Sequence, residues 1–425
     1  MGMRTFIRDH YTDLRSITGE GNRRLLHAVQ ERFLPQLQIH EVPSGTRCLD
    51  WVVPPEWTCR SARLIAPDGK VVVDFAENNL HILNYSVPFT GTLSWDELEP
   101  HLHSLPQQPE LIPYKTSYYH RTWGLCLAEN VKKTLPRKGQ YRVEIDTELN
   151  EHGSLTYGEW FLPGESEQEI FFSTHICHPR LAIDNLSSVA ALAELGRRLS
   201  LKGRPRLGIR MVFVPGTIGP VVWLASRAGW EVQPPAFAYV LALAGAPGPL
   251  HLKEPGPGRQ TSFLQAKALA EAQGTYEILP YEPYGYDERQ YNTLGPGFQA
   301  VRIGRANYGG YPQYHTSADD LDLLSEEGLN NTLSYLEALV DACQDSTRYT
   351  SLVRAGEPQY SRHGAFEALP AAWPDKRQRE QAMYWLMSHA QRSLLTEIEA
   401  HSGLPMAALQ AVADVLVQKG LLAEE

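Results

Sequence analysis

The sequence predicts an α/β protein: a mostly parallel sheet flanked by helices, with a small β-rich module inserted near the start and a compact helical unit at the end. Three observations predict it. From about residue 136, apolar strands alternate with helix-patterned stretches, the signature of parallel strands joined by crossover helices. Residues 48–135 break that rhythm with short β-branched and aromatic runs between Pro and Gly turns. Residues 376–425 carry three closely spaced helical patterns. A chain of 425 residues exceeds one ordinary core, so several domains are expected. The boundaries read as 1–47 with 136–345 for the core, 48–135 for the insert and 376–425 for the last unit.

Taken in order, residues about 5–40 read as helical, with Leu14, Leu25, Leu26, Val29 and Phe33 on one apolar face. Within the insert, Trp51 to Val53, Val71 to Phe75 and His81 to Val87 read as short strands. Ser94 opens a helix there, with Glu97 placed to complete a capping box. Tyr141 to Leu149 alternates with period 2 at the opening of the core. Glu169 to Ile176 is a short strand with no charge after Glu169, as a strand buried on both faces requires. Ser187 to Leu199 has helical spacing, Arg206 to Pro215 is a second strong strand, Val221 to Ala228 a helix and Phe237 to Gly245 a third strand. Residues 346–375, with Glu357, Pro358, Pro370, Trp373 and Pro374, read as a connection. The last two helices read as a helix-turn-helix with Gly403 in the turn, as in a winged helix.

Composition excludes several functions. Hydrophobic residues at 43% and charged residues at 21% describe a folded globular chain. A net charge of -10 disfavours nucleic acid and anionic membranes as partners. No run approaches the roughly 20 apolar residues of a membrane span, and the charge-studded N-terminus does not read as a secretory signal. Cys48, Cys59, Cys126, Cys177 and Cys343 are scattered without a CxxC pair. Neither a disulfide framework nor a zinc ribbon is expected, and a reducing, cytoplasmic location is. Acidic and basic residues balance in the C-terminal helices, where a DNA reader needs a basic stripe. Those helices point to a structural role or to a homo-oligomer.

Chemistry concentrates in three loops. His175, His178 and Asp184 lie within about ten residues between a strand and a helix, and two imidazoles with a carboxylate suit a divalent metal. The plainer account is a core hydrogen bond from either histidine, with Asp184 capping the helix. Tyr284 to Tyr291 places Asp287 and Glu288 beside Arg289 in a Gly-containing loop. Asn307 to Asp320 is a mobile-looking, tyrosine-rich loop with a single histidine, His315; its plainer account is a packed turn. Asp319 and Asp320 are candidates for hydrogen bonds supporting a ligating histidine.

In order, THICHPRLAIDNLSS, VFVPGTIG, YGYDERQY and YPQYHTSADDL resemble the motifs of bacterial aminopeptidase-like proteins, a branch of the zinc aminopeptidase and glutaminyl cyclase superfamily. LDWVVPPEW, VDFAENNLHILNYSVPF and YYHRTWGLCL resemble the β-rich module those proteins insert, and the C-terminal unit resembles their winged helix. The resemblance implies a zinc-aminopeptidase-like core with metal ligands at His175, Asp184 and His315. It places Asp287 and Glu288 close to the metal as catalytic candidates; His178, Arg289, Tyr286 and Tyr314 are candidates for touching substrate. Two positions depart from the family. Its Pro-Glu-Thr-Ile-Gly motif reads Pro215-Gly216-Thr217-Ile218-Gly219 here, and its Gly-Asp pair reads Gly245-Ala246. Glycine cannot take a proton from water or return it to a leaving amine, a role typically worth ~10²–10⁴ in rate. With two carboxylates missing, one divalent metal, zinc, is expected rather than two. Asp287, Glu288 or His178 would then have to substitute.

Three functions stay open at this level. The first is a metal-dependent hydrolase acting on an amide or peptide bond of a small amino-containing substrate, a small molecule or a short peptide. The second is a biosynthetic enzyme repurposed for acyl transfer or cyclisation. The third is a non-catalytic binding or assembly protein that keeps the fold.

Overall fold

The computed structural model describes residues 2–227, 234–257, 260–293, 297–369, 376–390 and 393–424. The chain divides into two units, Met1–Gly256 with Thr275–Glu337, and Pro257–Gly274 with Ala338–Glu425.

The larger unit is built on an eight-stranded sheet. Its spatial order is Gln38–Pro43, Ser154–Leu162, Gly208–Val214, Glu169–His175, Phe237–Leu241, Val301–Gly304, Leu250–Lys253 and Tyr276–Leu279. The four strands from Gly208–Val214 to Val301–Gly304 run parallel, and antiparallel pairings flank them. Ile170, Phe171 and Phe172 are wholly buried, as the uncharged run requires. Helix Ser188–Ser200 buries Val189, Leu192, Leu195 and Leu199 at helical spacing. Parallel strands bring the carboxyl ends at His175, Val214 and Leu241 to one edge, where open α/β sheets form their sites.

A four-stranded antiparallel sheet, in the order Val71–Asp74, Glu56–Ile65, Tyr141–Asn150 and Phe89–Leu93, forms the β-rich module. Trp57, Leu64, Val73, Trp95, Tyr141, Val143 and Ile145 fill its core. The capping box is present, with the Ser94 N–H donating to Glu97 Oε2 at 2.8 Å. The expected limit at 135 is too early, because Tyr141–Asn150 pairs with Glu56–Ile65 instead of opening the main sheet. Period-2 alternation shows that one face is buried without saying which sheet buries it.

Residues 5–40 are two helices rather than one, Met3–His10 and Glu20–Arg32, followed by the edge strand Gln38–Pro43. Gly19 has φ +106°, and a β-carbon on Gly21 would sit 2.0 Å from the Leu14 carbonyl oxygen. The chain turns tightly there, which only glycine permits.

The smaller unit contains helices Thr261–Gln273, Lys376–His389, Leu395–Ser402 and Met406–Gln418. Gly403 turns the chain between the last two at φ +68°. Tyr349–Ser351 pairs with Leu422–Glu424, so the stretch expected to be a connection supplies a strand of this unit. Pro370, Trp373 and Pro374 lie outside the described residues. Among the described residues no helix is long and apolar enough to cross a membrane.

Candidate metal centre

Strand Glu169–His175 carries His175 to the sheet edge, and the turn Ala182–Ser187 brings Asp184 against it. His175 Nε2 lies 2.7 Å from Asp184 Oδ1. His315 Nε2 lies 3.1 Å from Asp184 Oδ2, and His178 Nε2 lies 3.9 Å from the same oxygen. Three imidazoles therefore surround one carboxylate that is 0% exposed. The candidate ligand atoms of His175, His178 and Asp184 all lie within 4.8 Å of one another. Burial alone would raise the Asp184 pKa, but the surrounding imidazoles hold it well below the usual carboxylate range. Burial pushes His178 well down, so it stays neutral, the form that binds metal. Burial opposes charge on His175 too, yet the Asp184 hydrogen bond and charge carry its pKa up.

A further set of contacts fixes these rings. Asp319 accepts the backbone N–H of Ile183 at 2.6 Å, that of Asp184 at 3.1 Å and the Tyr311 hydroxyl at 2.6 Å, clamping the turn. Burial pushes its carboxyl up to about 7. Asp320 accepts the N–H groups of Asp322 and Leu323 and serves its own loop. Asn185 Nδ2 lies 3.1 Å from His175 Nδ1, while its Oδ1 accepts the Leu243 N–H at 3.0 Å. Tyr286 stacks on His175 with centroids 5.3 Å apart, and Tyr314 stacks on His315 at 3.8 Å. Both tyrosines thus touch imidazoles and also line the adjoining cavity of about 510 Å³.

Of the two adjacent carboxylates only Asp287 faces that cavity. Its Oδ1 accepts the Thr217 N–H at 2.7 Å, while Oδ2 is buried without a hydrogen-bond partner. Burial pushes its pKa up to about 6. A β-carbon on Gly216 would lie 3.1 Å from Cys177 Sγ and 3.9 Å from Asp287 Oδ1. Asp287 therefore stands beside the place vacated by the family's glutamate. Glu288 is buried off the cavity lining: its Oε1 pairs with Lys253 Nζ at 2.9 Å, and its Oε2 has no hydrogen-bond partner. Asp287 immediately precedes the short helix Glu288–Asn292, and neighbouring positions on a helix diverge by about 100°. Arg289 reaches the cavity, 4.7 Å from the Tyr284 ring centroid.

Residues 4–346 match the family described as a domain of unknown function, DUF4910, and residues 347–424 match a winged helix-turn-helix family. The chain belongs to DUF4910. It is 36% identical over 412 residues to a Clostridium acetobutylicum protein provisionally described as a polysaccharide biosynthesis protein with an aminopeptidase-like domain, spanning 96% of this chain and 93% of that one. A crystal structure provisionally described as a peptidase of Clostridium acetobutylicum superposes at TM-score 0.79 with 33% identity, covering 100% of this chain and 96% of its own. The Bacillus subtilis zinc aminopeptidase BSAP shares the fold at TM-score 0.58 and 11% identity, with 80% and 93% of the two chains covered. The DUF4910 chain thus has an aminopeptidase-like core and a winged-helix end.

Sequence reasoning missed two residues that hold this DUF4910 centre together. Tyr114, from the β-rich module, packs 5.1 Å from both the His178 and His315 rings, and its N–H donates to the His315 carbonyl at 2.8 Å. Arg15, almost wholly buried, donates to the His178 carbonyl at 2.7 Å. His178 lies among the candidate ligands and also lines the cavity. The donor set fits a divalent cation: buried imidazoles with one carboxylate are the chemistry zinc prefers. Gly216 and Ala246 contribute no carboxylate to it.

Proposed function

We propose that this protein is a mononuclear, metal-dependent hydrolase of an amide bond in a small substrate. The observation that carries the reading is the convergence of His175, His178 and His315 on buried Asp184, beside a cavity whose one lining carboxylate among the described residues is Asp287. His175, Asp184 and His315 would hold the cation, with His178 as a further or exchangeable ligand. When bound, it would supply Lewis-acid polarisation to a carbonyl and to a water molecule. Asp287 Oδ2 has no partner and would take the water's proton as a general base, then return it to the leaving nitrogen. A pKa near 6 suits both duties near neutral pH. Tyr286 and Tyr314 keep the imidazoles oriented and wall the cavity with apolar faces.

The relative named for polysaccharide biosynthesis favours a second reading, in which the amide belongs to a biosynthetic intermediate rather than to a peptide. The five cysteines, all free and buried, support a reducing compartment for either role.

Metal content of untagged protein, repeated on Asp184→Ala and His315→Ala, tests the proposal. About one zinc per chain in the parent and a loss in both variants is the expected result. A parent that binds no metal after zinc is added would remove the metalloenzyme reading.

A further inference from the structure

The charged groups of the cavity are matched to a ligand of the opposite sign from an aminopeptidase's. An aminopeptidase substrate presents a free ammonium group, which needs carboxylates around it. Here Asp287 is the sole lining carboxylate among the described residues, and Thr217 engages one of its oxygens. The lining also holds Arg289 and Lys115.

Arg289, which like Arg302 and Arg305 has a buried Nε without a partner, differs from two other partly buried arginines of its unit. Arg23 is clamped by Glu41 and Glu56, and Arg210 by Glu159 and Glu169. Among the described residues Arg289 has no carboxylate within salt-bridge distance. Its Nη2 lies 3.4 Å from Thr217 Oγ1, its Nε is buried without a partner, and Tyr284 lies against its guanidinium face. A guanidinium steadied by a ring and a hydroxyl, with its buried Nε unused, is arranged to receive a two-oxygen anion. A chain of rings leads away from it: Tyr284 packs on Tyr308 at 5.1 Å, Tyr308 on Tyr314 at 5.5 Å, and Tyr314 stacks on His315.

We propose that Arg289 anchors a carboxylate or phosphate of a ring-bearing substrate, whose ring lies along the tyrosine wall and whose amide lies at the metal centre. The position of the amide rests on the hydrolase reading; the anion site does not. The nitrogen that reacts is then acylated and uncharged, and no free ammonium group is selected.

Calorimetric titration of the full chain in EDTA tests this apart from any metal, using phenyl phosphate, benzoate and benzylamine. At least one anion should bind, benzylamine should not, and Arg289→Gln should weaken the anion roughly tenfold or more. Arg289→Lys should recover part of that loss, while Lys70→Gln, exposed and outside the cavity, should change nothing. Stronger binding of phenyl phosphate than benzoate identifies a phosphate group, and the reverse a carboxylate. Benzylamine binding as tightly as the anions, an unchanged dissociation constant in Arg289→Gln, or no binding of either anion would overturn the proposal. A missing metal leaves this result standing, and a failed titration leaves the metal count standing.

Discussion

Replacing Asp287 by Asn gives a sharp test of the proton-handling role, because the substitution keeps the shape and removes the charge. Asn Oδ1 can still accept the Thr217 N–H, and its amide nitrogen occupies the position of the unpartnered Oδ2. In the fold the Asp287 carboxyl titrates near 6, against an ordinary value of 3.8. It therefore binds its proton more tightly folded than unfolded. Its contribution to stability is fully present below 3.8 and is lost as pH rises through about 6. Asn has no such dependence. The stability difference should move in favour of Asp287→Asn by about 2.5 kcal/mol between roughly pH 4 and pH 7.5. Urea unfolding of both metal-free proteins across that range, followed by tryptophan fluorescence, measures it. The other titrating groups cancel between the two proteins. A gap that stays constant with pH, or one that moves towards the parent, would refute the burial argument and with it the poised carboxyl. The Asn variant should also lose most of any hydrolysis while keeping its metal.

Gly216→Glu should restore little activity and lower stability by about 1–3 kcal/mol, since the new side chain starts 3.1 Å from Cys177 Sγ and points its charge towards Asp287; melting curves with turnover assays check both. Glu288→Gln should cost about 3–5 kcal/mol by leaving buried Lys253 without its anion, yet leave the metal count unchanged; a variant that loses metal without losing stability would return Glu288 to the centre.

The parts of this protein legible in its sequence are those fixed by neighbours along the chain. Strand Glu169–His175, the turn carrying Asp184 and the helix from Ser188 are contiguous, so apolar runs and spacing place two candidate ligands at one sheet edge. His315 joins them from 131 residues away, and only a family resemblance could pair it with Asp184. Tyr114 and Arg15 had no comparable signal: both bond to backbone carbonyls of the centre, which any residue type supplies, and the Tyr114 ring reaches its histidines from a separate module. The choice between Asp287 and Glu288 turned on the phase of a helix of five residues, too short for an apolar stripe to reveal. The period of Tyr141–Asn150 was legible while its partner strand was not, because alternation marks a buried face without naming the sheet that covers it.

Gly216 and Ala246, where the resemblance to aminopeptidase-like motifs expects carboxylates, have a consistent physical counterpart in the rest of the cavity. A site that gives up anionic side chains loses the capacity to balance a second divalent cation and a substrate ammonium together. Among the described residues the cavity lining holds one carboxylate, Asp287, whose pKa is pushed up to about 6, and Arg289 acts on it through its charge without pairing with it. In the proposed reading, one cation, one proton carrier and one guanidinium without a salt-bridge partner form a single electrostatic arrangement. Restoring one lost carboxylate would set it against Asp287 without supplying the others, which is why reversion at Gly216 alone should not recreate an aminopeptidase.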